Sequence, residues 1–227
     1  MRWLVFCCAF ALSACAASRA ADPEDPPMHG ELSLLYDAGE EAPPDLGGGG
    51  GFDFGGGAVD LAGGGCNLAR VVVNEIQTGG TTGSDEFIEL YNPCPNAIDL
   101  TGSTVVYRAA TSNTDDNTLA KPTQSIAGGG YFLIAGMAYS GTAKADVTYT
   151  SGGLAATGGA VGLRAPGGAL LDSVGWGSAN NVFVEKATAT NPAAGHSIAR
   201  IPNGNDTNDN SADFSEKTSP TPRARNL

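Results

Sequence analysis

Two short apolar runs lie close together in the sequence, Val71-Val72-Val73-Asn74-Glu75-Ile76-Gln77 and Glu86-Phe87-Ile88-Glu89-Leu90-Tyr91. Both are rich in β-branched and aromatic side chains, which favour extended strands. Gly79-Gly80 lies between them and supplies residues that form turns. The two runs are therefore predicted to be neighbouring strands.

Seven further runs of the same kind follow, separated by glycine-rich and proline-rich turns. They are 97–100, 104–108, 131–135, 147–150, 160–164, 170–174 and 197–201. No segment has a sustained apolar repeat of 3.6 residues without Gly or Pro inside it, so long helices are excluded. About nine short strands within about 160 residues predict an all-β fold, a single antiparallel sandwich or barrel.

Composition and charge exclude some classes of partner. The chain has 33 Gly and 13 Pro, and its 12 Lys+Arg against 24 Asp+Glu give a formal net charge of −12. This charge repels nucleic acids and anionic lipid headgroups, so no nucleic-acid partner is expected. Most of the negative charge falls in residues 16–65, where ten acids face one arginine.

Residues 1–15 have the features of a secretory signal peptide, with Arg2 followed by an apolar run that is too short to span a membrane. Leu12-Ser13-Ala14-Cys15 resembles the lipobox of bacterial lipoproteins, in which the cysteine is acylated. Cys15 is therefore the predicted lipidation site, and Ala16 after it favours the outer membrane. The alternative is ordinary cleavage near Ser18-Arg19-Ala20, which releases a periplasmic or secreted protein.

Residues 16–65 are acidic and end in glycine clusters, with too few apolar side chains to offset the entropy of ordering. This composition predicts a disordered linker. Residues 66–227 then form the predicted folded domain.

Two cysteines remain in the domain once residues 1–15 are set aside. Cys66 precedes the first predicted strand and Cys94 follows the second, so antiparallel pairing brings them to one end of the sheet. An even pair in an oxidising compartment favours a disulfide, and two free thiols are the alternative.

The order and spacing of several motifs resemble the lamin tail domain family, here in the form of bacterial lipoproteins. The motifs are Val71-Val72-Val73-Asn74-Glu75-Ile76, Asp85-Glu86-Phe87-Ile88-Glu89-Leu90-Tyr91-Asn92, Ile98-Asp99-Leu100-Thr101-Gly102, Gly128-Gly129-Gly130-Tyr131-Phe132-Leu133-Ile134, Ala160-Val161-Gly162-Leu163-Arg164, Leu171-Asp172-Ser173-Val174-Gly175-Trp176, and a closing signature within 197–222. The resemblance implies an immunoglobulin-like β-sandwich with no activity of its own. Ser103 departs from the family pattern, which usually has Trp at this position. The sequence therefore does not determine how the edge of the core near residue 103 is packed.

Carboxylates near the second strand do not form a catalytic pair in the sequence. Alternation places Glu86 and Glu89 on opposite faces of the strand, so one is expected in a buried hydrogen bond and the other in solvent. His196 is the only histidine of the domain and is expected to be structural. With no catalytic motif, the sequence predicts a protein that is not an enzyme.

A polar loop carries the candidate metal ligands. Asp206, Asn208 and Asn210 alternate, and Asp213 follows, which offers the oxygen ligands that Ca²⁺ prefers. No EF-hand glutamate follows the loop, and Asp and Asn also form turns that bind their own backbone. Both a calcium site and a self-bonded turn are consistent with the sequence, and no other cofactor is expected.

The leading functional hypothesis is a non-catalytic lipoprotein of the bacterial cell envelope, anchored to the membrane through Cys15. Its sandwich binds or scaffolds an envelope protein or a glycan. The polar loops 111–117 and 180–190 are candidate recognition loops. The alternatives are a structural spacer or assembly subunit with no ligand and, less favoured, a cryptic hydrolase.

Overall fold

The computed structural model describes residues 65–227. The predicted signal peptide, Cys15 and nearly all of the predicted linker lie outside this range. In chain order the strands are β1 (Val72–Gln77), β2 (Phe87–Tyr91), β3 (Ile98–Asp99), β4 (Thr104–Ala109), β5 (Asn117–Ala120), β6 (Ser125–Ile126), β7 (Tyr131–Gly136), β8 (Val147–Tyr149), β9 (Gly158–Arg164), β10 (Leu170–Gly177), β11 (Ser197–Arg200) and β12 (Phe214–Lys217).

The strands form two main sheets that pack face to face as an immunoglobulin-like sandwich. The larger sheet has the order β12-β11-β1-β2-β7-β8, the smaller has the order β10-β9-β4-β5, and β3 pairs with β6 alone. A 3₁₀ turn at Leu68–Arg70 and the helix α1 (Asn210–Asp213) are the helical segments of the described residues. Neither is long enough to cross a membrane.

All nine predicted strands are present, with ends within two or three residues of the prediction. The prediction missed three strands, β5, β6 and β12. The antiparallel sandwich is confirmed, with one ladder that departs from it, because β8 runs parallel to β7.

A β-bulge in β1 decides which of its side chains face the core. The register with β2 shifts between Val73 and Glu75. Val73 and Ile76 therefore both join the buried core, and Glu75 lies beside Glu89 of β2. Strict alternation would have placed residue 75, not residue 76, on the face that Val73 occupies.

The core lies between the two sheets and centres on Trp176. Its indole is fully buried, and Nε1 donates a 3.0 Å hydrogen bond to the carbonyl of Ala155. Ser103, where the family usually has Trp, is also buried, and its hydroxyl donates to the carbonyl of Leu100 at 2.7 Å. This edge is therefore held by a hydrogen-bonded turn at residue 103.

Residues of the two candidate recognition loops cover the outer face of the smaller sheet. Phe183 is buried against Val106 and Ala160, with the guanidinium of Arg108 at 4.2 Å from its ring centroid. Asp115 of the other loop forms an ion pair with Arg108 at 2.8 Å. Phe183 and Asp115 therefore have a packing role in these loops, whereas Val182 remains 74% exposed.

Candidate functional site

Three cavities surround the loop that joins β1 to β2. Residues 78–85 of this loop contribute to each of them. The largest has a volume of about 460 Å³ and is open to solvent at its mouth. We call it the loop cleft, and it falls within the size range of small-molecule sites in proteins.

Three segments form the walls of the loop cleft. Thr81 and Asp85 belong to the β1–β2 loop, residues 139–143 follow β7, and Pro220, Thr221 and Pro222 belong to the C-terminal segment. Phe87 contributes from β2. Sheet positions and loops from distant parts of the chain thus meet at one site.

Asp85 fixes the first wall to the second. Its carboxylate accepts hydrogen bonds from the amide and hydroxyl of Thr81 and from the amide and hydroxyl of Ser140, at 2.6–3.0 Å. Burial raises the pKa of Asp85, but the bonds from Ser140 and Thr81 outweigh it and hold the pKa below its ordinary value. Gly80 permits this arrangement, since a Cβ there would lie 2.4 Å from Oδ2 of Asp85.

The C-terminal segment (residues 218–227) covers two acids on the outer face of the larger sheet. The amide of Thr221 donates to Glu75 at 2.9 Å, and the amide of Arg223 donates to Glu89. Asn226 donates from its side chain to the carbonyl of Asn74 at 3.1 Å. Burial raises the pKa of Glu75, and it raises that of Glu89 to about 8.

The predicted exposure of one acid of the second strand is wrong. Glu86 and Glu89 do face opposite sides, but they are only 2% and 0% exposed. Glu86 accepts hydrogen bonds from the hydroxyl of Tyr149 and the amide of Leu154, whereas the C-terminal segment covers Glu89. The sequence of the second strand alone could not show that the C-terminal segment covers Glu89.

A second polar cluster is centred on Arg200 of β11, whose side chain is fully buried. Its guanidinium contacts Asp172 at 2.9 Å, Asp213 at 3.0 Å and Asp206 at 3.1 Å. Nε also donates to the carbonyl of Val73 at 2.9 Å. This cluster joins β1, β10, β11 and the loop that leads to β12.

The Arg200 cluster contains more acids than bases. Asp172, Glu185 and Asp206 each place a carboxylate oxygen within 4.8 Å of the others. Burial raises the pKa of Asp172 to about 6 despite the opposing effect of Arg200. Burial, reinforced by repulsion from Asp172 and Asp206, raises the pKa of Glu185 to about 8.

Residues 67–178 match the family model described as the lamin tail domain. The chain therefore carries a domain of the lamin tail domain family. No curated protein matches it. The matched range ends at the close of β10, so β11, α1 and β12 of this lamin tail protein lie beyond it. The assignment of residues 197–222 to a closing signature of the family stays a prediction.

Three of the four predicted calcium ligands of this lamin tail protein have side chains that are hydrogen-bonded to other groups of the protein. Asp213 accepts from Arg200, Asn205 and Thr207, and Asp206 accepts from Arg200 and from the amide of Asn208. Asn210 binds the backbone of β10 through Gly175 and Ser173. Of the four, only Asp206 belongs to the group of three close carboxylates. The calcium site stays a prediction.

The other predicted residues are placed as follows. Cys66 and Cys94 form a disulfide, with Cα atoms 5.7 Å apart. His196 lies beside Glu216, with Nδ1 at 2.7 Å from Oε1. Cys15 lies outside the described residues.

Sequence reasoning did not find Arg200 or Tyr139. A signal for Arg200 was present, since Asp172 and Arg200 are each charged residues within apolar strands. Buried charges require partners, so the two were candidates for pairing. Tyr139 carried no such signal, because its contacts depend on how the loop after β7 meets the β1–β2 loop.

The raised pKa values predict how the stability of the domain varies with pH. Glu89 and Glu185 have folded pKa values of about 8 against an ordinary 4.5. The folded state thus holds more protons than the unfolded state between these values, and the free energy of unfolding falls as pH rises from about 5 to 8.

Urea unfolding measured at intervals between pH 5 and pH 8 tests this expectation. The Glu89→Gln and Glu185→Gln variants should each flatten the dependence on pH. Asp99→Asn should leave it unchanged in this range, because hydrogen bonds from Thr101 lower the pKa of Asp99. Stability that rises across this interval would contradict the prediction.

Proposed function

We propose that the protein is a lipid-anchored, non-catalytic binding module of the bacterial cell envelope. The observation that carries the binding role is the loop cleft, in which three distant segments form one cavity of about 460 Å³. The immunoglobulin-like fold supports such a role, since rigid sandwiches commonly present binding loops. The Cys66–Cys94 disulfide is typical of an oxidising compartment. The lipobox pattern ending at Cys15 supplies the anchor in this proposal.

The chemistry of the described residues supports the non-catalytic part of the proposal. Asp85 is the carboxylate of the loop cleft, and its four hydrogen bonds hold it as a fixed anion that cannot readily donate a proton. The carboxylate of Glu86 is bound to Tyr149 at 2.6 Å. No histidine, lysine or arginine lines the cleft as described.

Two measurements on the full chain test the proposal. Cys15→Ala should abolish labelling by radioactive palmitate and release the protein from the membrane fraction. A photo-crosslinking residue at Thr142, in the cleft, should trap an envelope component. The same residue at Thr123, an exposed position outside the cleft and outside both candidate recognition loops, should trap much less.

The outcomes separate the proposal from its main alternative. A protein that stays in the envelope and forms no adduct at position 142 is a structural spacer, and the binding role is then wrong. Palmitate labelling that survives Cys15→Ala overturns the anchor.

A further inference from the structure

We propose that the loop cleft binds an uncharged saccharide, one or two sugar units in size. This inference rests on the proposed binding role of the same cleft and names the class of ligand. A volume of about 460 Å³ admits a ligand of that size.

The first argument is the hydroxyl-rich lining of the cleft. Thr81, Ser140, Thr142 and Thr221 place hydroxyl side chains around it. The hydroxyls of Thr81, Ser140 and Thr221 already donate within the protein, so they retain lone pairs that accept hydrogen bonds from the hydroxyls of a sugar. The hydroxyl of Thr142 can both donate and accept. Tyr139 adds apolar surface, and the buried ring of Phe87 packs behind it with ring centroids 5.8 Å apart in an edge-to-face arrangement. Sugar rings present C–H faces that pack against such surfaces.

The second argument is the phenol of Tyr139. Its oxygen is buried and has no hydrogen-bond partner among the described residues. A buried polar atom without a partner is unfavourable and uncommon, and it calls for a ligand or a water. Gly141 lies against this oxygen, since a Cβ at residue 141 would be 2.1 Å from it. Both residues line the cleft, so a modest shift of the glycine segment would let a ligand hydroxyl reach the phenol.

The third argument is charge. The cleft contains the fixed anion of Asp85, and no lysine, arginine or histidine is among its described lining residues. A phosphate or carboxylate would therefore enter without a cation to pair with it. Oδ1 of Asp85 accepts from the amide of Ser140, whereas Oδ2 accepts the other three bonds. Oδ1 thus retains capacity for a hydroxyl donor, which a neutral sugar supplies.

The experiment is an NMR titration of the isotope-labelled full chain carrying Cys15→Ala. The probes are N,N′-diacetylchitobiose, cellobiose and maltose, with digalacturonate as the anionic counterpart. At least one neutral disaccharide should shift the amide signals of Thr81, Ser140 and Thr142. Digalacturonate should shift them much less.

Matched variants place the ligand in the cleft. Tyr139→Phe keeps the ring and removes the hydroxyl, and it should weaken binding by about 3- to 10-fold, as expected for one lost hydrogen bond. Tyr131→Phe removes a hydroxyl from another half-buried tyrosine that does not line the cleft, and it should leave binding unchanged. Thr142→Trp should block binding, while Thr114→Trp should not.

Any one of three results would overturn the saccharide proposal. The first is that no neutral disaccharide shifts the amide signals saturably at tens of millimolar. The second is that the Thr142→Trp variant binds as tightly as the wild-type protein, and the third is that digalacturonate binds more tightly than the neutral disaccharides. A negative titration combined with adducts at position 142 in the envelope leaves the binding role standing and rejects only the saccharide class.

Discussion

An Arg200→Met variant is expected to lose about 3–5 kcal/mol of unfolding free energy, enough to unfold much of a marginally stable domain. Arg200 is fully buried and is the cation that pairs with Asp172, Asp206 and Asp213. Methionine has a similar apolar length but cannot pair with any carboxylate. Its substitution leaves the buried carboxylates of Asp172 and Asp213 without a cation to pair with, which is the costly part.

The loss is measured by urea unfolding followed through the fluorescence of Trp176, which is fully buried in the folded state. Arg164→Met is the matched control. Arg164 also pairs with an aspartate, Asp115 at 2.8 Å, but its side chain is partly exposed, so we expect a loss below about 1 kcal/mol. Arg200→Lys keeps the charge, so the unfolding free energy that this variant still loses measures what the planar, forked geometry of the guanidinium contributes.

A double variant tests whether unpaired charge is the cause. Asp213→Asn in the Arg200→Met background removes one buried charge and should recover part of the lost stability. If the stability losses of the two single variants simply add in the double variant, then packing, and not charge, explains the effect. A loss under about 1 kcal/mol for Arg200→Met alone would contradict the central role of the residue.

The sequence predicted the strands with strong local signals and missed those formed by tertiary pairing. β1, β2 and β9 are dense in apolar residues. β12 (Phe214–Lys217) contains one apolar residue and is a strand because it pairs with β11 along its whole length. The bulge between Val73 and Glu75 likewise has no local signal, yet it decides which acid lies beside Glu89.

The candidate site was less predictable than the fold because its residues meet only after folding. Thr221 and Asp85 are far apart in the sequence but line one cavity. Loop length and polarity favoured 111–117 and 180–190 as recognition loops. Phe183 shows that such a loop can also pack on an open sheet face, so length and polarity alone do not distinguish a recognition loop from a covering one. The recognition role of the two loops stays a prediction.

Replacing both Cys66 and Cys94 by alanine is expected to lower the unfolding free energy by ~3–4 kcal/mol, the chain-entropy value for a loop of this length. The disulfide links residues that are 28 positions apart. It connects the segment before β1 to the turn after β2. That turn is already held by Asn92, whose side chain donates to the carbonyls of Asn96, Ile126 and Ala127.

Because Asn92 holds the turn independently, the folded state of the double variant should change little near Cys94. The lost stability should then come from the unfolded chain, which gains freedom and exposes more surface when the link is absent. The slope of unfolding free energy against urea should therefore rise in the variant. Reductant should lower the stability of the wild-type protein to that of the double variant and have no effect on the variant itself. A stability loss with an unchanged slope would instead locate the effect in the folded state, and no loss at all would show that the link contributes nothing to the sandwich.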